Sequence, residues 1–154
     1  MPENSLPFVI IPVFAVVFGL FWSFIVFVVA HIGGWARLAK AYPATGKPEG
    51  RSWNWRSMRI GLFFNYRNSV NVTLSDAGLY MRPILLFRIG HKPILLPWKA
   101  ISDAQRRDLW FATTITLAVP LTGNGNERRL SFYGKTFVEA MEGHLKRNGN
   151  ALHR

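Results

Sequence analysis

The chain has 154 residues, with 19 Lys and Arg against 8 Asp and Glu (a formal charge of +11), and 49% of it is hydrophobic. That length is one domain, or one domain with an appendage, and the apolar content excludes a disordered chain. With no cysteine, a disulfide scaffold, a Cys-ligated zinc or iron–sulfur site and a cysteine nucleophile are all excluded. Charge excess and apolar excess are reconciled by their separation along the chain, since no Lys or Arg precedes Arg37.

Residues 8–30 run without a single charge. As a helix these 23 residues would extend about 35 Å, enough for a hydrocarbon core of roughly 30 Å with some tilt. A single apolar run without alternation satisfies its backbone in lipid only as a helix. Pro7 and Pro12 fall in its first part, where a missing N–H costs least. Val28-Val29-Ala30 resembles a signal-peptidase site. However, the stretch before the run carries Glu3 and no Lys or Arg, and the run exceeds a normal signal core, which favours a retained helix. The basic residues all lie C-terminal to the run, so the positive-inside rule predicts a single-pass protein of the inner (plasma) membrane. Its N-terminus is outside and its C-terminal part cytoplasmic. Residues 1–34 thus read as tail and transmembrane helix.

Residues 35–52 read as an interfacial helix and linker. Trp35, Leu38 and Tyr42 recur on one helical face while Arg37 and Lys40 point elsewhere, and Pro43 ends the pattern. Trp35, Arg37, Lys40 and Tyr42 are therefore expected at headgroup level, where each cation near an anionic leaflet contributes about 1 kcal/mol. Basic residues interleaved with aromatics also suit single-stranded nucleic acid, but the adjacent span explains both, and no nucleic-acid partner is expected.

Residues 53–149 read as short strands followed by one helix, with 150–154 a tail. Strands are predicted at 57–66 (interrupted by Gly61), 71–74, 79–81, 84–88, 93–98, 109–119 and 129–133. Turns fall at 75–78, 89–92 and 122–127. In the closing helix Phe137, Met141 and Leu145 recur every four residues. Thr136 and Glu139 fit a capping box, Lys146 and Arg147 suit the C-terminal end, and Gly149 supplies the stop. The predicted fold is α+β. An N-terminal transmembrane helix precedes a small antiparallel β domain, a bent sheet or partly open barrel, closed by a C-terminal amphipathic helix.

Ser75-Asp76-Ala77-Gly78-Leu79-Tyr80 and, further on, Leu96-Pro97-Trp98-Lys99-Ala100-Ile101 before a long strand carry a resemblance. In this order of elements the chain resembles bacterial pleckstrin-homology-like (GRAM-like) domains that follow a transmembrane helix. The resemblance implies a fold and a habit of binding lipids or proteins; it implies no activity.

Chemistry-bearing motifs are sparse. The four histidines, His31, His91, His144 and His153, form no metal-protease motif, and no nucleophile elbow, P-loop or dinucleotide fingerprint occurs. His31, at the membrane end of the span, is a weak candidate metal or pigment ligand beside the plainer reading of an interfacial side chain. His91 is expected exposed in a hairpin tip. Asp103 and Asp108 are expected to moderate a basic loop at Arg106-Arg107. No enzyme activity and no cofactor is expected. Arg88, Lys92, Arg106 and Arg107 are the candidate contacts for a protein partner or anionic lipid. Two functions fit: a membrane-anchored interaction module whose basic domain meets a protein or the anionic inner leaflet, or an accessory subunit on the periphery of a larger energy-transducing or transport complex.

Overall fold

The computed structural model describes residues 3–121 and 125–154. After a 3-10 turn at Glu3–Ser5, helix α1 runs over Leu6–Ile32 and is long and apolar enough to cross a membrane. Most of its large side chains (Phe8, Phe14, Phe18, Phe21 and Phe24 among them) are exposed, with no protein around them. Pro7 sits in the first turn, whereas Pro12 lies inside the helix and removes one backbone donor there. Gly33 and Gly34 break the helix. A short second helix, α2, follows over Trp35–Ala41, ending before Pro43 as expected.

The rest is a single eight-stranded sheet: β1 Arg51–Ile60, β2 Phe64–Leu74, β3 Leu79–Pro83, β4 Ile94–Leu96, β5 Asp103–Leu109, β6 Ala112–Pro120, β7 Glu127–Tyr133 and β8 Leu152–His153. The spatial order is β4-β3-β2-β1-β7-β6-β5-β8, antiparallel except for β5 with β8. β1 links two meanders. It pairs with β2 along its length and, over Met58–Ile60 only, with β7. Two register shifts, between Trp53 and Arg56 and between Arg56 and Met58, bend β1 so that the sheet curls. β4 and β8 end the sheet without pairing to each other, leaving an open barrel, an architecture compatible with a pleckstrin-homology-like fold. Helix α3, Lys135–Arg147, plugs one end with Phe137, Val138, Met141 and Leu145 against Ile115, Leu117, Val119, Leu130 and Phe132.

The two segments that carry the resemblance meet inside this core. The indole of Trp98 is buried, donates to the Ser75 carbonyl at 2.8 Å and stacks under His144. The turn at 75–78 forms as predicted, through mutual backbone bonds between Ser75 and Gly78.

Several expectations are corrected. Residues 84–88 form no strand: Leu85–Phe87 is a 3-10 turn whose Leu85 and Leu86 are exposed, and only Ile94–Leu96 pairs with β3. The expected single strand at 109–119 is the second half of a hairpin that turns at Trp110 and Phe111, so Arg106 and Arg107 lie on β5 and not in a loop. Strand β1 begins inside the expected linker. α2 belongs to the core, and the expected tail adds β8. The capping box at Thr136 and Glu139 does not form, because α3 already starts at Lys135 with Gly134 as cap. Its other end is as read: Asn150 N–H reaches the Leu145 carbonyl and Gly149 N–H that of Lys146. Of the turn predicted at 122–127, residues 122–124 lie outside the described residues.

Candidate functional site

The membrane-proximal corner is built by three segments: the last turns of α1, helix α2, and the loop between β3 and β4. The joint between the helices is tight. Gly34 has φ +88°, a conformation that favours glycine, and a side chain at Gly33 would press within 3.0 Å of the Phe64 ring.

Trp35 fixes α2 to the loop. Its indole N–H donates to the Lys92 carbonyl at 2.8 Å, and its ring lies 5.5 Å from Tyr66 and 5.4 Å from His91. Trp35 is fully buried, so it is no headgroup anchor: the apolar face of α2 packs on the sheet, and Leu38 goes in with it. Tyr42 is likewise committed to the protein, its hydroxyl donating to the Pro120 carbonyl at 2.6 Å. Arg37 and Lys40, on the other face, are exposed.

His91, expected at an exposed tip, is buried. Its Nδ1 lies 3.1 Å from the Ile89 carbonyl, and its Nε2 3.1 Å from the Tyr66 hydroxyl. A neutral imidazole satisfies both contacts, donating from Nδ1 and accepting at Nε2. Burial pushes the Tyr66 phenol up to about 12. Burial also holds His91 below the ordinary imidazole value; the bond to Ile89 opposes this and the charge of His31 adds to it. The unfolded chain therefore takes a proton near pH 6.5 while the folded one still refuses it. Stability is expected to be complete above that pH and to fall as pH drops through it. Chemical unfolding of the chain and of His91→Asn over roughly pH 5 to 8 checks this, because the variant should lose much of the acid-side slope.

Beside this cluster opens a cleft of about 790 Å³. Its apolar wall includes Phe27 and Gly90, and its polar wall consists of His31, Arg37, Lys40 and Lys92, with no carboxylate. The His31 ring lies tilted against Phe27, 4.2 Å between centroids, and places Nδ1 2.8 Å from the Phe27 carbonyl. Among the described residues, no three His, Asp or Glu side chains gather where they could hold a metal ion.

The four predicted partner contacts are thus dispersed. Lys92 joins Arg37 and Lys40 at the cleft. Arg88 is exposed on the β3–β4 loop, with Nε 3.4 Å from the Pro83 carbonyl. Arg106 is not available to a partner: its side chain is 12% exposed and held by Asp108 at 2.9 Å and Glu142 at 2.7 Å. Arg107 stands on the outer sheet face, where it shares an open groove with Arg59, Arg128 and Arg129. Sequence reasoning missed this groove. The signal is the strand register, which sets Arg59 opposite Ser131 and Arg107 opposite Thr114 on adjacent strands. At the β5–β6 turn of the same hairpin, Trp110 is 96% and Phe111 69% exposed.

No protein-family model matches this chain, and no curated protein is similar to it at a significant level.

Proposed function

We propose that the protein is a non-enzymatic, single-pass membrane protein whose GRAM-like, pleckstrin-homology-like domain faces the cytoplasm and holds anionic phospholipid headgroups in the cleft at the foot of α1. The observation that carries this reading is the cleft itself. Arg37, Lys40 and Lys92, with His31, surround a space without a carboxylate, directly where an apolar helix of bilayer length ends. Lys and Arg at that level attract anionic lipid, and a phosphate diester is the group such a cluster fits best. A retained helix is supported by its packing: Val26 and Ala30 are fully buried, so cleavage after Ala30 would strip a covered face from the domain.

The test is native mass spectrometry of the full chain in mild detergent, titrated with phosphatidylglycerol or phosphatidylcholine. Phosphatidylglycerol should be retained preferentially. Replacing Arg37, Lys40 and Lys92 by glutamine should weaken retention by on the order of 100-fold, at about 1 kcal/mol per cation. Equal retention of both lipids would defeat the reading.

A second reading, an accessory subunit or partner-binding module, is favoured by a different observation. Arg59, Arg107, Arg128 and Arg129 outnumber the single carboxylate of Glu127 in one groove, and Trp110 projects from the hairpin that bears Arg107. Arg and Trp are the residues that dominate protein interfaces, and this set suits an acidic partner. A stoichiometric acidic protein in the same purification would support it.

A further inference from the structure

The β3–β4 loop and the β1–β2 turn contain a group of exposed apolar side chains outside the cleft, of which Leu62 also borders the arginine groove. Leu85 is 73%, Leu86 64% and Ile89 44% exposed, and at the β1–β2 turn Leu62 is 81% and Phe63 86% exposed. Both segments gather around the last turns of α1. The Phe87 ring lies 5.7 Å from Trp22, the Trp22 indole N–H donates to the Leu86 carbonyl at 3.2 Å, and Gly90 sits against Phe27 and Ala30. Phe64, which follows the β1–β2 turn, shares a small pocket with Val29 and Phe87.

Position along α1 is what gives this arrangement meaning. A hydrocarbon core of roughly 30 Å takes about 20 helical residues. Counted from Phe8, these end near Phe27, so Trp22 and the loop beside it lie about 7 Å inside that boundary. Backbone groups at such depth need partners within the protein, and four N–H groups here have one. Ile84 N–H reaches the Ser69 carbonyl, Phe87 N–H that of Ile84, Arg88 N–H that of Leu85 and His91 N–H that of Arg88. The Trp22 indole, a polar group on the face of an apolar helix, is satisfied by the same loop. Exposed Arg82 and Arg88 flank the apolar tip and are long enough to reach back to headgroups.

We infer that the 84–90 loop, with Leu62 and Phe63 beside it, enters the cytoplasmic leaflet alongside α1, so that the domain is set into the membrane surface. The occupant of this apolar face is lipid acyl chain. The inference rests on the reading that α1 spans the bilayer.

Because the chain has no cysteine, single-cysteine variants carry one label each. Leu85→Cys, Leu86→Cys, Phe14→Cys and Trp110→Cys, each on an exposed side chain, would be labelled with an environment-sensitive fluorophore. The full chain would then be reconstituted into phosphatidylcholine–phosphatidylglycerol vesicles. Labels at Leu85 and Leu86 should be quenched by doxyl lipids several-fold more than the label at Trp110, and by aqueous iodide several-fold less. If Phe14 behaves as lipid-buried while Leu85 and Leu86 match Trp110, the inference is overturned and the span stands. If Phe14 is itself open to iodide, both fall. Shielding from iodide without doxyl quenching would place a second copy of the chain on the loop, and overturns it too.

Discussion

Substituting Trp35 by alanine is expected to destabilise the folded domain by about 4 kcal/mol, the cost of emptying a fully buried aromatic site. Trp35 has no exposed surface and touches Tyr66 and His91, so the void would open between α2, β2 and the β3–β4 loop. The Lys92 carbonyl would lose its donor as well. Trp35→Phe keeps most of the ring volume but not the N–H, and should cost about 1–2 kcal/mol. Urea unfolding of the full chain in detergent, followed by near-ultraviolet circular dichroism, reads both. A Trp35→Ala domain that unfolds at the original midpoint would return Trp35 to the headgroup region.

Arg106→Leu is the second large effect expected, at about 3 kcal/mol. Glu142 is 5% exposed on the face of α3 turned toward the sheet, and the Arg106 guanidinium is 2.7 Å from its carboxylate. With Arg106 gone, Arg154, at 3.5 Å and largely exposed, is the one cation left beside Glu142 among the described residues. A buried carboxylate with so weak a partner must protonate or draw water in, and either costs stability. Asp108, held below the usual carboxylate range by its bonds to Arg106, would return toward that range. The double variant with Glu142→Leu removes the stranded charge, so it should recover most of the loss. Thermal melts of the four proteins form the cycle, and additive losses would show that the pair is not coupled.

What was legible in the sequence was whatever ran long without charge or repeated with a period. α1 declared itself by the absence of charge, α3 by Phe137, Met141 and Leu145, and β6 by Ile115, Leu117 and Val119, all buried as their spacing requires. β5 was illegible because Ala104 is the one residue it buries; its charged alternation looks like a loop until β6 pairs with it. The apolar run at 84–87 misled in the opposite direction. Such a run reads as a buried strand in a water-soluble domain, and here it is exposed beside the apolar helix. At the cleft, Arg37 and Lys40 were legible from their distance to the span. Lys92 joins them only because Trp35 draws the β3–β4 loop onto α2, and no local pattern announces a contact across 57 residues. His91 was misplaced for the same reason: its neighbours Trp35 and Tyr66 are remote in the chain.

The two-glycine joint has a mechanical consequence. Domains hung on a flexible tether sample every orientation, but here Gly33 is pressed against Phe64, and the chain leaving α2 is stitched to the edge of β4. There Leu95 N–H bonds to the Tyr42 carbonyl and Ala44 N–H to that of Pro93. Helix and barrel therefore lean as one lever. On the reading that α1 spans a bilayer, whose thickness sets how far a long helix tilts, a thinner membrane would swing the Trp110 turn through the same angle as α1, and the membrane's thickness would set the direction in which that turn points.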